Sequence, residues 1–279
     1  MAAVRFAHSA RGCASWHVRK LMVWRTSGDG REPGGAVSSP LPDYLVPLRD
    51  ALIGARRARK SISVEGLPVP RSDADAYAVQ QALADACGWF ASSRPRAWKV
   101  GASSRDAVPN AAPLPPLCVV QSPATFAAET FNRILIEGEV AFRLRAPLDD
   151  HAADPSSVAA AIDGWLVTIE VVDPRYANLD AAGPALRLAD QGMHGALVVG
   201  SGGSLPDTVD WTSLIARVSR DGEVVKETRG GHPLGNLLFL LPWLAGHAHA
   251  RGVPLGAGDV VTAAPWASGV GAVPGQWIG

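Results

Sequence analysis

Cysteine, lysine, long apolar runs and any surplus of one charge are all scarce in this 279-residue chain, and each shortage narrows what it can be. There are three cysteines, Cys13, Cys87 and Cys118, an odd number without the spacing of metal ligands. That excludes a disulfide framework or a cysteine zinc site and leaves free thiols in a reducing compartment, with the cytoplasm as the expected location. The most apolar run, Leu237 to Ala245, is broken by Pro242 and falls far short of the roughly 20 residues needed to span a bilayer. Lysine plus arginine number 26 and aspartate plus glutamate 26, so the formal net charge is zero. Neither nucleic acid nor a membrane surface is an expected partner. Lysine occurs only at Lys20, Lys60, Lys99 and Lys226, which makes Lys99, between Trp98 and Val100, conspicuous.

What is present is core material. The 47% hydrophobic content and mean hydropathy of +0.09 fit a globular chain able to bury one large core or two small ones. Residues 1–40 differ in texture: Arg5, Arg11, Arg19, Lys20 and Arg25 precede the first acidic residue, Asp29, and a Gly/Pro/Ser-rich run follows to Pro40. Without a secretory apolar stretch, this segment is expected to be a disordered leader or a start-site artefact, with Met22 an alternative start. Residues 41–95 are expected to form a small helical part. Leu45, Leu48, Leu52 and Ala55, then Ala76, Val79, Leu83 and Ala86 or Cys87, recur at helical spacing, with Asp73 or Asp75 as a cap for the second helix.

Residues 96–279 read mainly as strand. Ala97 to Gly101, Leu117 to Gln121, Ile134 to Leu144, Trp165 to Asp173, Ala196 to Gly200 and Val260 to Thr262 are expected strands, and Asp221-Gly222 marks a hairpin. A Pro/Ala-rich loop is expected as far as Pro116. A helix is expected from Pro233 to about Ala250, kinked at Pro242 and stopped by Gly252. Strands and helices do not alternate regularly, so the expected class is α+β around a mixed, mainly antiparallel sheet.

Ile134 to Leu144, ILIEGEVAFRL, joins pattern to chemistry. As a strand it places Glu137, Glu139, Ala141 and Arg143 on one face, with the two carboxylates ~7 Å apart at the backbone. They could simply face water, or converge on a cation that relieves their repulsion. Glu170, amid the apolar WLVTIEVVD, needs a partner because an unpaired buried charge is costly. An arginine such as Arg143 or Arg175 would serve; so would a cation shared with Glu137 and Glu139, an all-oxygen set suited to Mg²⁺ or Mn²⁺. Lys99 is either a structural ion-pair partner or, with its pKa lowered by desolvation, a proton-transfer group.

WKVG at Trp98 to Gly101, IEGEVAFRL at Ile136 to Leu144, IEVVDPRY at Ile169 to Tyr176, LADQGMHGALVVG at Leu188 to Gly200 and GHPLGNLLFLLPWLA at Gly231 to Ala245 fall in one order and spacing. In these motifs the chain resembles the 2-keto-4-pentenoate hydratase group of the fumarylacetoacetate hydrolase superfamily, from about residue 43 onward. The resemblance implies a β-roll catalytic domain behind the helical part, Mg²⁺ or Mn²⁺ at Glu137, Glu139 and Glu170, and Lys99 as the catalytic proton-transfer residue. Gly101, His194 and Thr262 are the expected substrate contacts. It further implies hydration of a 2-hydroxy-2,4-dienoate to a 4-hydroxy-2-oxo acid in the breakdown of aromatic rings. Decarboxylation of 4-oxalocrotonate, hydrolysis of an acylpyruvate, or a catalytically weak metal-binding homologue stand as alternatives. The expected partners are a small 2-oxo or 2-hydroxy-dienoate acid and further copies of the chain, as a homo-oligomer. Departures from the group are His194 where relatives usually carry Asn, and Thr262-Ala263-Ala264-Pro265 where they carry a Thr-Gly-Ser segment. The chain stops at Gly279, where relatives continue into a closing strand, so Val260 to Thr262 is expected to be exposed unless another segment covers it.

Overall fold

The structure, a computed structural model, describes residues 1–7, 40–148, 155–206 and 209–279. It begins with a correction. Val4–Ala7 is a strand, β1, with Ala2, Val4 and Phe6 buried, so the start of the chain belongs to the fold. Its Val-Arg-Phe alternation is a short strand signal inside an arginine-rich context. Residues 8–39, with Cys13 and Met22, lie outside the described residues. Cys87 and Cys118 carry free thiols.

Two helices follow. α1 (Val46–Ala58) buries Leu48, Leu52 and Ala55, one stripe of its surface, and α2 (Asp73–Cys87) buries Ala76, Val79 and Leu83 against it. The cap of α2 is Ser72 rather than either aspartate: its side chain accepts from the Asp75 N–H at 3.2 Å. Then come β2 (Ala97–Gly101), β3 (Asn110–Pro113), β4 (Val119–Gln121), β5 (Ala124–Ala127) and β6 (Leu135–Leu144). Strand β3 replaces the expected loop, because Ala111 and Ala112 are small enough to bury beside β2 even though their stretch is proline-rich. After α3 (Pro155–Ala161) the chain forms β7 (Ile162–Val172), α4 (Pro184–Ala189), β8 (His194–Gly203), β9 (Ile215–Arg220) and β10 (Glu223–Arg229). Asp221 and Gly222, both at positive φ, make the hairpin turn between the last two.

The last helix, α5 (Leu240–Ala250), starts later than Pro233, behind a short 3₁₀ turn at Leu237–Phe239 that the Asn236 side chain caps. Pro242 therefore sits in the first turn of α5, where a missing N–H costs little, and it does not interrupt a helix interior. Gly252, at φ 72, closes the helix with hydrogen bonds from Gly252 N to His249 O and from Val253 N to Ala248 O. β11 (Val260–Gly271) and β12 (Trp277–Ile278) complete the chain.

A seven-stranded sheet runs β3-β2-β11-β6-β7-β8-β4 and a five-stranded one β10-β9-β12-β1-β5. Both are mixed: β2/β11, β4/β8 and β1/β5 pair parallel and the other ladders are antiparallel. The expected α+β class with a mainly antiparallel sheet is what the chain adopts. Val260 to Thr262 is not an exposed edge, since β2 and β6 flank β11 on its two sides. Trp98, Phe142 and Val261 form a core with α5, while Val4, Phe6, Ile136 and Ile169 form another that includes both sheets. A third core joins α1 and α2 to Leu186 and Leu188 of α4. No helix among the described residues is long and apolar enough to cross a membrane.

Candidate active site

Strand alternation places the chemistry. On β2, Trp98 and Val100 turn into the core, which leaves Lys99 and Gly101 on the opposite face, lining a cavity of about 300 Å³. On β6, Glu137 and Glu139 line the same cavity. Glu137 lies directly across the β6/β7 ladder from Glu170, and Glu139 from Thr168. One oxygen from each of Glu137, Glu139 and Glu170 comes within 4.8 Å of the others. Glu139, 4% exposed, does not face water, whereas Glu137 is half-buried at the cavity; Glu170 is fully buried. A larger, more open hollow of about 690 Å³ beside Phe131 and Ala272 has no such convergence of carboxylates.

Glu170 finds its partners in Lys99 and His194, not in an arginine. Lys99 Nζ donates to Glu170 Oε1 at 2.7 Å and to the Gly192 carbonyl at 3.0 Å, and His194 Nδ1 lies 2.9 Å from the same Oε1. Arg143 pairs with Asp163 instead, and Arg175 with Asp190 and Asp173. All the protein contacts of Glu170 thus fall on one oxygen. Its Oε2 is buried with no hydrogen-bond partner among the described residues, as is His194 Nε2. A buried carboxylate oxygen without a donor is costly, and one facing two further carboxylates fits a cation. The donor set is all oxygen, the kind that suits a hard divalent ion.

The electrostatics agree. Burial pushes Glu137 up to about 7; Lys99 opposes this and Glu170 adds to it. Burial also drives Glu139 well above the ordinary carboxylate value, helped by Glu170 and Glu137. For Glu170 burial acts upward, but the Lys99 charge and the His194 hydrogen bond outweigh it and hold the carboxyl low. Lys99 departs from the lowered pKa expected of it. Burial lowers its pKa as expected, but Glu170, Glu137 and Glu139 together overcome burial and leave it raised, so the side chain is a firmly held ammonium.

Of the three expected substrate contacts, Gly101 lines the cavity, whereas His194 and Thr262 lie behind the carboxylates. His194 bonds Glu170, as above. Thr262, fully buried on β11, donates its hydroxyl to Glu139 Oε2 and lies 3.0 Å from the Thr168 hydroxyl. Both hold carboxylates of the cluster, because their strand positions turn them towards Glu139 and Glu170 and away from the opening.

Other groups were not legible from spacing. Gln191, Gly192 and Met193 have φ of 58°, 59° and 61°, three left-handed residues in a row, an arrangement unfavourable for L side chains. This turn presents the Gly192 carbonyl to Lys99. It is held by Gln191 Nε2 on the Pro113 carbonyl at 2.9 Å and, on its N-terminal side, by Asp190. Buried Asp190 is clamped by Arg175 Nε at 2.9 Å and by Arg56 Nη2 of α1 at 2.8 Å. Ala264, also on the cavity wall, is the extra residue at a register shift of β11 and takes φ 48° despite its Cβ. The Cβ makes this conformation strained.

Residues 90–278 match the family described as Fumarylacetoacetate (FAA) hydrolase C-terminal. The chain is similar to the 2-keto-4-pentenoate hydratase of Burkholderia vietnamiensis (strain G4 / LMG 22486), 32% identical over 130 residues that cover 45% of this chain and 48% of that protein. It is also similar to a 4-oxalocrotonate decarboxylase of Pseudomonas putida, 29% identical over 143 residues, or 51% of this chain and 54% of the relative. The chain thus spans about half the length of the curated relatives it matches. Among solved structures it resembles the 4-oxalocrotonate decarboxylase from Pseudomonas putida G7, complexed with magnesium and adipate. The TM-score is 0.67 at 25% identity, over 84% of this chain and 91% of that one.

Proposed function

The chain belongs to the fumarylacetoacetate hydrolase C-terminal family, and on that premise we propose that it is a divalent-metal-dependent lyase adding water to a 2-hydroxy-2,4-dienoate to give a 4-hydroxy-2-oxo acid. The observation that carries this reading is the convergence of Glu137, Glu139 and the unpartnered Oε2 of Glu170 beside the Lys99 ammonium. These three carboxylates would hold Mg²⁺ or Mn²⁺. When bound, such an ion supplies positive charge against the enolate that develops on a 2-oxo acid.

The chain's own residues do the rest. Thr262 and His194 fix the carboxylates of Glu139 and Glu170. Glu170 Oε1 and the Gly192 carbonyl hold Lys99 Nζ in one place, with its third N–H able to reach the cavity. As an ammonium beside the substrate's carbon chain, Lys99 hands a proton to carbon as the dienol becomes the 2-oxo form, and the proton lost from the enol hydroxyl restores the ammonium. The apolar wall of Val172, Leu188 and Met193 packs against that carbon chain.

Decarboxylation of a 4-oxalocrotonate-type acid is the second reading, supported by the likeness to the decarboxylase of Pseudomonas putida G7 over most of both chains. The deciding experiment incubates the purified chain and Mg²⁺ or Mn²⁺ with 2-hydroxypenta-2,4-dienoate and, separately, with 4-oxalocrotonate. Loss of the dienoate's ultraviolet absorbance with formation of the 4-hydroxy-2-oxo acid supports hydration. Release of CO₂ from 4-oxalocrotonate alone supports the second reading, and no metal-dependent turnover of either contradicts both.

A further inference from the structure

We infer that Arg187 is a specificity-determining residue that binds a second carboxylate, at the far end of the substrate's carbon chain, so that within the substrate class proposed above the site prefers acids with a second carboxylate while still accepting those with one. The inference rests on the reading of the carboxylate cluster as the place where the 2-oxo acid end is held.

Arg187, on α4, lines the same cavity as Lys99, Glu137 and Glu139. It forms no ion pair with a carboxylate among the described residues. The other cations around the site are matched: Lys99 by Glu170, Arg175 and Arg56 by Asp190. Arg187 instead donates from Nε to the Ala182 carbonyl and from Nη2 to the Leu179 carbonyl, each at 2.6 Å. Two neutral carbonyls fix the guanidinium plane without neutralising it. A guanidinium has five N–H donors, so these bonds leave others for a ligand. A planar, held guanidinium suits a carboxylate, which it can grip with two parallel bonds.

Apolar side chains of Pro184, Leu188 and Met193 line the same cavity. The cavity therefore offers carboxylates and a lysine for a 2-oxo acid, apolar surface for carbon and a cation with free donors. A substrate with one carboxylate leaves that cation with nothing to bind.

The test measures binding, without turnover, by calorimetry in the presence of Mg²⁺, with 2-oxoadipate and 2-oxohexanoate as probes of equal chain length. The unaltered chain is expected to bind 2-oxoadipate about ten- to a hundredfold more tightly. Arg187→Met is expected to abolish that preference while leaving 2-oxohexanoate binding unchanged, which a merely structural arginine would not do. Arg187→Gln, which keeps a donor for the neighbouring carbonyls but no charge, is expected to show the same loss and serves if the methionine variant does not fold. Equal binding of the two acids by the unaltered chain, or a preference that survives either substitution, overturns the assignment. If neither acid binds with Mg²⁺, the reading of the carboxylate cluster falls and this inference falls with it. If both bind alike, only the role of Arg187 falls.

Discussion

Glu137 and Glu170 stand directly opposite one another in the antiparallel ladder of β6 and β7. Like charges in that relation destabilise a sheet, yet here both sit in a largely buried site with Glu139 beside them. Lys99 offsets one of the three charges. The remainder is resolved either by protons or by a bound cation, and this choice generates the first prediction.

Without metal, the folded chain holds a proton on Glu137 up to about pH 7, whereas an unfolded glutamate releases it near 4.5. The folded form then binds more protons than the unfolded one across that window, so stability falls as pH rises through it. His194, His232 and His247, whose pKa values burial lowers, act in the opposite sense over the same range, so the expectation is a difference: the Tm of the metal-free protein relative to that of Glu137→Gln declines from about pH 5 to pH 7.5. Saturating Mg²⁺ should raise Tm most at the upper end and flatten the decline. A Tm difference from Glu137→Gln that does not decline with pH, or a Tm that ignores Mg²⁺, speaks against the charge balance described.

Lys99→Met keeps the apolar stem and deletes the ammonium. The expected result is a folded protein that still binds metal, with kcat reduced by roughly 10²–10⁴ and KM changed far less. Steady-state kinetics beside a metal titration check this. An unchanged kcat would return Lys99 to an ion-pairing role with Glu170.

Asp190→Ala leaves Arg175 and Arg56 buried without their shared counter-charge and frees the turn that presents Gly192 to Lys99. Loss of one member of a buried ion pair costs about 3–5 kcal/mol. Chemical denaturation should report a loss of that order, and whatever folded protein remains should lose activity along with the placement of Lys99.

Ala264→Gly removes a Cβ from a left-handed position. The relief of strain, about 1–2 kcal/mol, exceeds the entropic penalty of glycine, roughly 0.5–1 kcal/mol, so a net stabilisation of up to about 1 kcal/mol is expected. A Tm unchanged or lowered by the substitution would show that the bulge tolerates alanine without cost.

Part of this was legible in the sequence because it depends on local periodicity. Alternation along β2 and β6 puts Lys99 opposite Trp98 and pairs Glu137 with Glu139, and the isolation of Glu170 among apolar residues announces that it has a partner. What was hidden depends on contacts between distant segments. Nothing in the spacing shows that His194 reaches Glu170 in preference to the cavity, or that Thr262 serves Glu139. The raised pKa of Lys99 follows from three carboxylates meeting it, a sum that neighbours in sequence do not reveal. Arg56 and Arg175 meet on Asp190 only because α1 packs near the turn. β1 was obscured by the arginines around it, and the length of β11 by Pro265 and the bulge at Ala264, which imitate the end of a strand.

Direct titration of Mn²⁺ into the metal-free chain, followed by electron paramagnetic resonance of the free ion, tests the central claim most closely. One ion per chain is expected to bind, Mg²⁺ should displace it, and Glu137→Gln or Glu170→Gln should weaken it by at least tenfold while the protein stays folded. Mn²⁺ binding that is the same in both variants as in the unaltered chain would contradict the account.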